Sequence, residues 1–284
     1  MAPAGTEDIA LRTICDEGEF RILIARSTAT ATGILEAQKP DQDHRDLVVD
    51  ATTAAILLRL TMSPDNRLQV VLQNKAAQSL VIDSHPDGIT RGLLRPHGVN
   101  VLGTGAGTLL SIHRTLFDGK IHQGVVETDE EQTLADAITG YLSHSEQINS
   151  VVALGHRFEG DRLTFAGGYV VQLMPAAERA DEATLALMTA RLEQLPPVTE
   201  LFEEAKGELQ SVADELYGPI KSRTLGEELF KSGCNCSADR FVDGLNSLGD
   251  DDLRGLVEAD EVLEIGCDYC GTTYAIDPAD LRSI

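Results

Sequence analysis

Four of the chain's five cysteines are gathered near its C-terminus, as Gly233-Cys234-Asn235-Cys236-Ser237 and Gly266-Cys267-Asp268-Tyr269-Cys270-Gly271. Thirty residues, Ser237 to Gly266, lie between the pairs. A Cys-x-x-Cys flanked by glycines forms a tight turn that aims both sulfurs, and the backbone N–H groups behind them, at one ion. Cys-x-Cys is a tighter bite, open to a chain that turns sharply, and Gly233 permits that turn. Cys234, Cys236, Cys267 and Cys270 thus supply the four thiolates of a closed, tetrahedral structural zinc site, with Zn–S distances near ~2.3 Å. Soft thiolates with no added histidine select zinc or iron–sulfur. The spacing departs from the usual cluster-binding runs, so the expected cofactor is one Zn2+ per reduced chain. The competing reading is two structural disulfides in a secreted domain. It sits badly with a chain that is otherwise almost free of cysteine and whose start, MAPAGTEDIALRT, has no basic opening and no apolar stretch. The expected compartment is the cytoplasm.

The elements that must position these thiols can be read from the flanking residues. Ser237 is placed to N-cap a short helix with Phe241, Leu245 and Leu248 on one side. Asp250-Asp251-Asp252 opens a second helix with Leu253, Leu256 and Val257 inward, its carboxylates suited to a helix N-terminus. Val262 to Ile265 reads as a strand leading into the Cys267 turn, and Thr272 to Ile276 as the strand returning from it. So few apolar groups cannot build a robust core alone. Metal ligation would supply the deficit, since zinc-finger peptides gain on the order of 10–16 kcal/mol from the ion. This module is therefore expected to fold with metal and to be largely unfolded without it.

Upstream, residues 1–175 read as an α+β domain with an antiparallel sheet and packed helices. Phe20 to Arg26 and the Thr/Ala run after it look like one strand ending near Gly33. Asp46 to Leu60 has the length and continuous apolarity of a buried helix. Arg67–Gln73 and Ser79–Asp83 are strand-like, with a turn at Asp87-Gly88. Thr108–Leu116 and Lys120–Thr128 form a hairpin through Asp118-Gly119, in which His113 and His122 would be able to face each other. Thr133–Gln147 is an amphipathic helix carrying Leu134, Ile138, Tyr141 and Leu142. A second hairpin, Ser150–Leu154 and Leu163–Leu173, turns at Glu159-Gly160-Asp161 and ends at Pro175. From Ala176 the period becomes helical. Leu185, Met188, Leu192 and Leu195 make one stripe up to Pro196-Pro197. Val198, Leu201, Ala205, Leu209, Val212 and Leu216 make a second, stopped by Gly218-Pro219. Glu200, Glu203, Glu204, Glu208, Asp214 and Glu215 line the opposite face. The division is residues 1–175 as the α+β domain, 176–231 as an amphipathic helical linker, and 232–284 as the cysteine module.

Composition excludes several functions. The chain has 284 residues, with 23 Lys and Arg against 46 Asp and Glu, a net charge of −23. Such a surface repels phosphate backbones, so no nucleic-acid partner is expected. No run of 18 apolar residues exists, so no membrane span is expected. The histidines His44, His85, His97, His113, His122, His144 and His156 are scattered, none in a metal spacing or beside a nucleophile. Gly103-Thr104-Gly105-Ala106-Gly107 has a phosphate-loop look, but no Lys-Ser or Lys-Thr follows and the next segment reads as strand, so it is treated as a plain loop. Cys15 stands alone and reads as a small buried residue. No catalytic constellation emerges, and the chain is expected not to be an enzyme.

Taken with these features, the chain resembles the 33 kDa chaperonin family, the redox-regulated heat-shock holdases. Cys234-Asn235-Cys236-Ser237-Ala238-Asp239-Arg240 resembles the family's CxCSxxR start, and Cys267-Asp268-Tyr269-Cys270 with Tyr274 its CxxC…Y ending. Thr90-Arg91-Gly92, Gly105–Leu109, the Tyr141–Gln147 stretch YLSHSEQ and the Ala166–Pro175 stretch AGGYVVQLMP resemble further family segments. One departure is Lys231-Ser232-Gly233, where members carry an apolar or aromatic residue before the first cysteine. The resemblance implies an ATP-independent chaperone, activated when oxidation pairs Cys234 with Cys236 and Cys267 with Cys270. Zinc would then be released, and the linker stripe Leu201, Ala205, Leu209, Val212 and Leu216 would undock to hold unfolding client proteins. It further implies a monomer when reduced, a homodimer when oxidised, and transfer of clients to an ATP-driven foldase chaperone. Two other readings stand beside it. One is a thiol–disulfide oxidoreductase using Cys267 and Cys270, which needs the pair at a helix N-terminus in a βαβ setting. The other is a zinc-ribbon protein-interaction module.

Overall fold

A computed structural model of the chain describes residues 8–95, 102–129, 132–174, 182–259 and 261–281. The chain divides into two compact units, Met1–Ser232 and Gly233–Ile284. Pro175, the 175/176 boundary and His97, all used in the sequence reading, lie outside the described residues.

The first unit runs β1 (Asp8–Cys15), β2 (Phe20–Arg26), α1 (Thr28–Gln38), α2 (Gln42–Leu60), β3 (Arg67–Gln73), β4 (Ser79–Ser84), β5 (Ile89–Arg95), β6 (Leu109–Thr115), β7 (Ile121–Glu127), α3 (Leu134–His144), β8 (Ser150–Glu159), β9 (Arg162–Leu173), α4 (Glu182–Gln194), α5 (Val198–Glu204), α6 (Leu209–Tyr217) and β10 (Ser222–Ser232). Its strands form one ten-stranded sheet in the order β7-β6-β3-β4-β5-β10-β1-β2-β9-β8. β10 joins the two halves. It pairs antiparallel with β1 from Asp8↔Phe230 to Cys15↔Ser222, but parallel with β5 only at Lys231↔Ile89 and Ser232↔Thr90.

Successive side chains of a strand point to opposite faces, and the two halves use this differently. In β2, Leu23 and Ala25 enter a core with Val48, Ala51, Ala55 and Leu58 of α2. Ile22 and Ile24 enter a second core with Leu201, Phe202, Leu209, Val212 and Leu216 of α5 and α6. Buried on both faces, β2 reads as a continuous apolar run. In the other half, Leu68, Val70 and Leu72 of β3 face α2, while the residues between them do not. α2 lies across both halves, and every residue from Ala51 to Leu60 is buried.

Four local expectations change. The Thr/Ala run after Arg26 is helix α1, not an extension of the strand to Gly33. The Asp8 carboxylate accepts from the backbone N–H of Ala29 at 3.1 Å and of Thr30 at 2.5 Å, satisfying orphan donors of the first turn from a distant strand. Gly33 lets this helix press on β10, since a Cβ there would lie 1.9 Å from Ser232 Oγ. The Val198–Leu216 stripe is two helices, because Lys206 (φ 53°) and Gly207 (φ 76°) take the left-handed conformation that ends α5. Both helices still point the stripe into one core. Within 176–231, read as helical linker, Ser222–Ser232 are strand β10: Leu225 and Leu229 are exposed, and only Phe230 is buried. His113 pairs with Gln123 and His122 with Arg114, so the two histidines fall on opposite faces of their hairpin.

The second unit contains α7 (Ala238–Leu245), α8 (Asp250–Ala259), β11 (Leu263–Gly266), β12 (Thr273–Ile276) and a 3-10 turn, Pro278–Asp280. β11 and β12 are an antiparallel hairpin. Leu253, Ile276 and Leu281 are buried, with Phe241, Leu245, Leu256, Val257 and Ile265 partly buried around them. Leu248 falls beyond the end of α7 and is 40% exposed, so it takes no part.

Candidate metal centre

The structure brings together the four cysteines that the sequence singled out. The sulfurs of Cys234, Cys236, Cys267 and Cys270 all lie within 4.8 Å of one another. Cys234 and Cys267 are 3.7 Å apart, and Cys236 and Cys270 3.5 Å. Four thiolates around an ion at about 2.3 Å have sulfur–sulfur edges near ~3.8 Å in a tetrahedron. Spacing and donor chemistry therefore fit a closed all-sulfur metal site.

Local bonds explain why these turns form. Ser237 N-caps α7 by accepting from Arg240 N–H, and Arg240 Nη1 reaches back to donate to Asn235 O at 2.7 Å. That pair of contacts folds the Cys-x-Cys segment onto the first turn of the helix. Between β11 and β12, Gly271 N–H donates to Cys267 O at 2.7 Å and Cys267 N–H to Thr272 O at 2.9 Å. Cys267 is buried, and the other three are partly exposed.

A second layer holds the sulfurs. Tyr274 Oη lies 3.1 Å from Cys236 Sγ and donates to Cys236 O at 3.1 Å. The Phe241 ring packs on Tyr274 with centroids 5.2 Å apart. Thr272 Oγ1 is 3.3 Å from Cys270 Sγ. As thiols without an ion, Cys236 and Cys270 shift in opposite directions. At Cys236 the Tyr274 hydroxyl favours the thiolate, but burial and the neighbouring cysteines outweigh it, and the pKa rises to about 12. At Cys270 burial opposes ionisation, but bonds from Thr272 and the adjacent sulfurs lower the pKa to about 7. Four negative sulfurs this close need a cation among them. Tyr274 entered the sequence reading only as part of a family pattern and Thr272 only as a strand residue. The available signal was a hydroxyl-bearing residue on the strand that returns from a two-cysteine turn.

The remaining candidates separate cleanly. Leu201, Val212 and Leu216 are at most 1% exposed, Leu209 is 6% exposed and Ala205 packs at their margin, all against Phe20, Ile22, Ile24 and Tyr169. Cys15 belongs to that core too. The glycine-rich segment Gly103–Gly107 is a loop leading into strand β6. Cys267 and Cys270 sit in a β-hairpin turn, which is not the helix N-terminus that the oxidoreductase reading needs. Among the described residues no helix is long and apolar enough to cross a membrane.

Fold and site define an α+β protein whose large sheet-and-helix unit is followed by a small unit assembled on four cysteines. Comparison with known proteins makes this specific. The family model described as "Hsp33 protein" matches residues 8–277, and the chain belongs to that family, which is one of chaperones. It is 27% identical to the 33 kDa chaperonins of Streptococcus pneumoniae strains JJA and CGSP14, in each case over 98% of both chains. A crystal structure of the 33 kDa chaperonin (heat shock protein 33 homolog) of Thermotoga maritima superimposes with a TM-score of 0.80 at 18% identity, covering 96% of each chain.

Proposed function

We propose that this chain is a redox-switched, ATP-independent holdase of the cytoplasm, with Zn2+ held by Cys234, Cys236, Cys267 and Cys270 in the reduced form. The observation that carries this reading is the pairing of an all-sulfur cluster with a unit whose described apolar core is small, Leu253, Ile276, Pro278 and Leu281. Bound zinc would neutralise the clustered thiolates and cross-link the two turns. Metal-bound thiolates are deprotonated and so open to peroxide or hypochlorous acid. Each cysteine pair gives up two electrons to one hydrogen peroxide, which takes two protons and leaves as two waters. The pairing Cys234–Cys236 and Cys267–Cys270 rests on the family resemblance, since all four sulfurs are mutual neighbours. Disulfide sulfurs no longer hold the ion, and the module loses its chief source of stability.

The consequence falls on the segment before it. Leu201, Ala205, Leu209, Val212 and Leu216 leave the sheet, and both surfaces become available to unfolding clients. In this scheme residues 1–175 bind clients, the helices of 176–231 are the part that moves while its β10 stays in the sheet, and 232–284 are the switch. The charge of −23 keeps loaded complexes soluble. The chain is a monomer when reduced and a homodimer when oxidised, catalyses no reaction, and passes clients to an ATP-driven foldase chaperone.

The test follows zinc with a chromophoric chelator during peroxide treatment, with and without heat, and assays suppression of a client's aggregation on the same samples. One zinc leaving per chain in step with rising suppression supports the switch. Zinc that stays bound, or leaves with no gain in suppression, rejects it. Cys267→Ser should lower zinc content and uncouple activation from oxidant.

A further inference from the structure

The ten-stranded sheet ends in two edges that differ in kind. β8 is protected. It carries a bulge at Arg157/Phe158, Val152 N–H donates to Thr139 Oγ1 at 3.2 Å, Arg157 pairs with Glu203 at 2.9 Å, and Gly155 abuts Val198 of α5. Bulges, charges and covering helices are how proteins blunt an edge. β7 has no bulge; Tyr141 of α3 packs over its Gly124 on one face, and its outer edge is left unpaired by the described strands. Its register with β6 runs unbroken from Thr115↔Ile121 to Leu109↔Glu127, and no described strand pairs with its outer side. It contains no proline and one formal charge, Glu127.

The direction of its free groups follows from the ladder. Leu116 N–H donates to Lys120 O and Thr128 N–H to Thr108 O. Alternation between these bonds sets Ile121, Gln123, Val125 and Glu127 with N–H and C=O pointing away from β6. The same strand exposes Ile121 (67%) and Val125 (47%), next to Leu109 (42%) and the hairpin-tip Phe117 (83%). Further in, the same face is closed by polar groups, where buried Asp83 binds Arg67, Arg91 and His85. At the β6–β7 end the exposed apolar side chains lie beside the open edge, whereas Leu225 and Leu229, also exposed, lie on the interior strand β10.

We propose that the outer edge of β7 takes an extended segment of an unfolding protein as an eleventh strand, apolar at alternate positions and neutral or basic at its ends. The identity of this occupant rests on the holdase reading above. Only an extended chain satisfies a row of alternating donors and acceptors, and strand addition reads little sequence, as a holder of many clients requires. The charge of the flanks follows from the chain's −23 and from Glu127 and Asp129 at one end of the strand, whereas Lys120 at the other is paired with Asp118.

The experiment measures fluorescence anisotropy of a labelled peptide of about ten residues, alternating Val and Thr with Lys at both ends, on the reduced, zinc-loaded full chain and on the oxidised chain. Val125→Pro removes one outward N–H without touching the β6–β7 ladder, and Val125→Lys places a charge on the edge. Each should weaken binding by about ten-fold. Val151→Lys on β8 should leave binding unchanged, and a Glu-ended peptide should bind more weakly than the Lys-ended one. Folding of each variant is checked by its thermal melt, and either Val125 variant suffices if the other is unstable. No peptide binding, equal binding by the Val125 variants, or an equal loss with Val151→Lys overturns the proposal. So does a homodimer, seen by sedimentation, that Val125→Pro dissolves. Sensitivity at Val125 without oxidant-induced aggregation suppression would leave the edge site standing and remove the holdase reading. The reverse result would do the opposite.

Discussion

The two units of this protein are stabilised by different means. The first buries two extended apolar clusters, one between the sheet and α2 and one between the sheet and α5–α6. The second fully buries Leu253, Ile276 and Leu281, with a shell of half-buried neighbours, and places four sulfurs within 4.8 Å of one another. Burial is indifferent to oxidants, whereas ligation by thiolates is not. On the proposed reading, the sheet and α2 persist under oxidising conditions, the second unit does not, and the α5–α6 cluster depends on it.

Metal removal tests that contrast most severely. Thiolate ligation is worth on the order of 10–16 kcal/mol in zinc-finger peptides, more than so small an apolar core provides. A strong chelator on the reduced chain should abolish amide protection across Gly233–Ile284 while leaving β2 and α2 protected, as read by hydrogen exchange. Retained protection in the second unit would show that its apolar residues suffice.

Next in size is a charge placed in the clamp between linker and sheet. Leu216 is fully buried against the β2 face. Leu216→Asp removes its packing and buries a carboxylate, with an expected loss of more than about 3 kcal/mol. α5 and α6 should loosen and client aggregation should be suppressed without oxidant, with zinc content unchanged. Leu187→Asp on the exposed side of α4 is the control, since Leu187 is 43% exposed, and should shift stability by less than about 0.5 kcal/mol. Full dependence on oxidant in Leu216→Asp would separate the linker from the switch.

A smaller effect concerns pH within the first unit. His156 on β8 faces Asp50 at 2.7 Å and Asp46 at 3.4 Å, both on α2, with Phe158 edge-on beside it. The hydrogen bond to Asp50 and the two carboxylate charges raise its pKa above the ordinary 6.5, against the effect of burial. The charged imidazole therefore stabilises the fold fully below about pH 6.5 and loses that contribution as pH rises through the raised value. His156→Gln should flatten this dependence by at most about 1 kcal/mol, measured by urea unfolding across that range.

Much of this was legible because its causes are local. The helix at Asp46–Leu60, the Asp118-Gly119 and Gly160 turns and the amphipathic helix after Thr133 follow from periodicity and turn chemistry read within a few residues. The four thiols were visible because a metal site needs fixed spacing. What escaped was set at long range. α1 depends on Asp8, whose carboxylate reaches it from β1, and β10 becomes a strand because β1 offers it an edge. Neither partner can be inferred from the segment's own residues. Tyr274 and Thr272 took their places around the sulfurs only when the hairpin closed.

Cys15 supplies the mildest test, because it puts a thiol on the wrong side of the comparison. Its sulfur is 1% exposed, accepts from Phe20 N–H at 3.1 Å and lies 2.9 Å from Glu19 Oε2. Burial and the Glu19 carboxylate both push its pKa up, so the reactive thiolate is scarce. A serine oxygen can keep both bonds. Cys15→Ser should therefore leave zinc content and the peroxide dose-response unchanged, and alter stability by no more than about 1 kcal/mol. A shifted dose-response would mean that the first unit senses oxidant as well, and the division between a burial-held body and a ligation-held switch would have to be redrawn at β1.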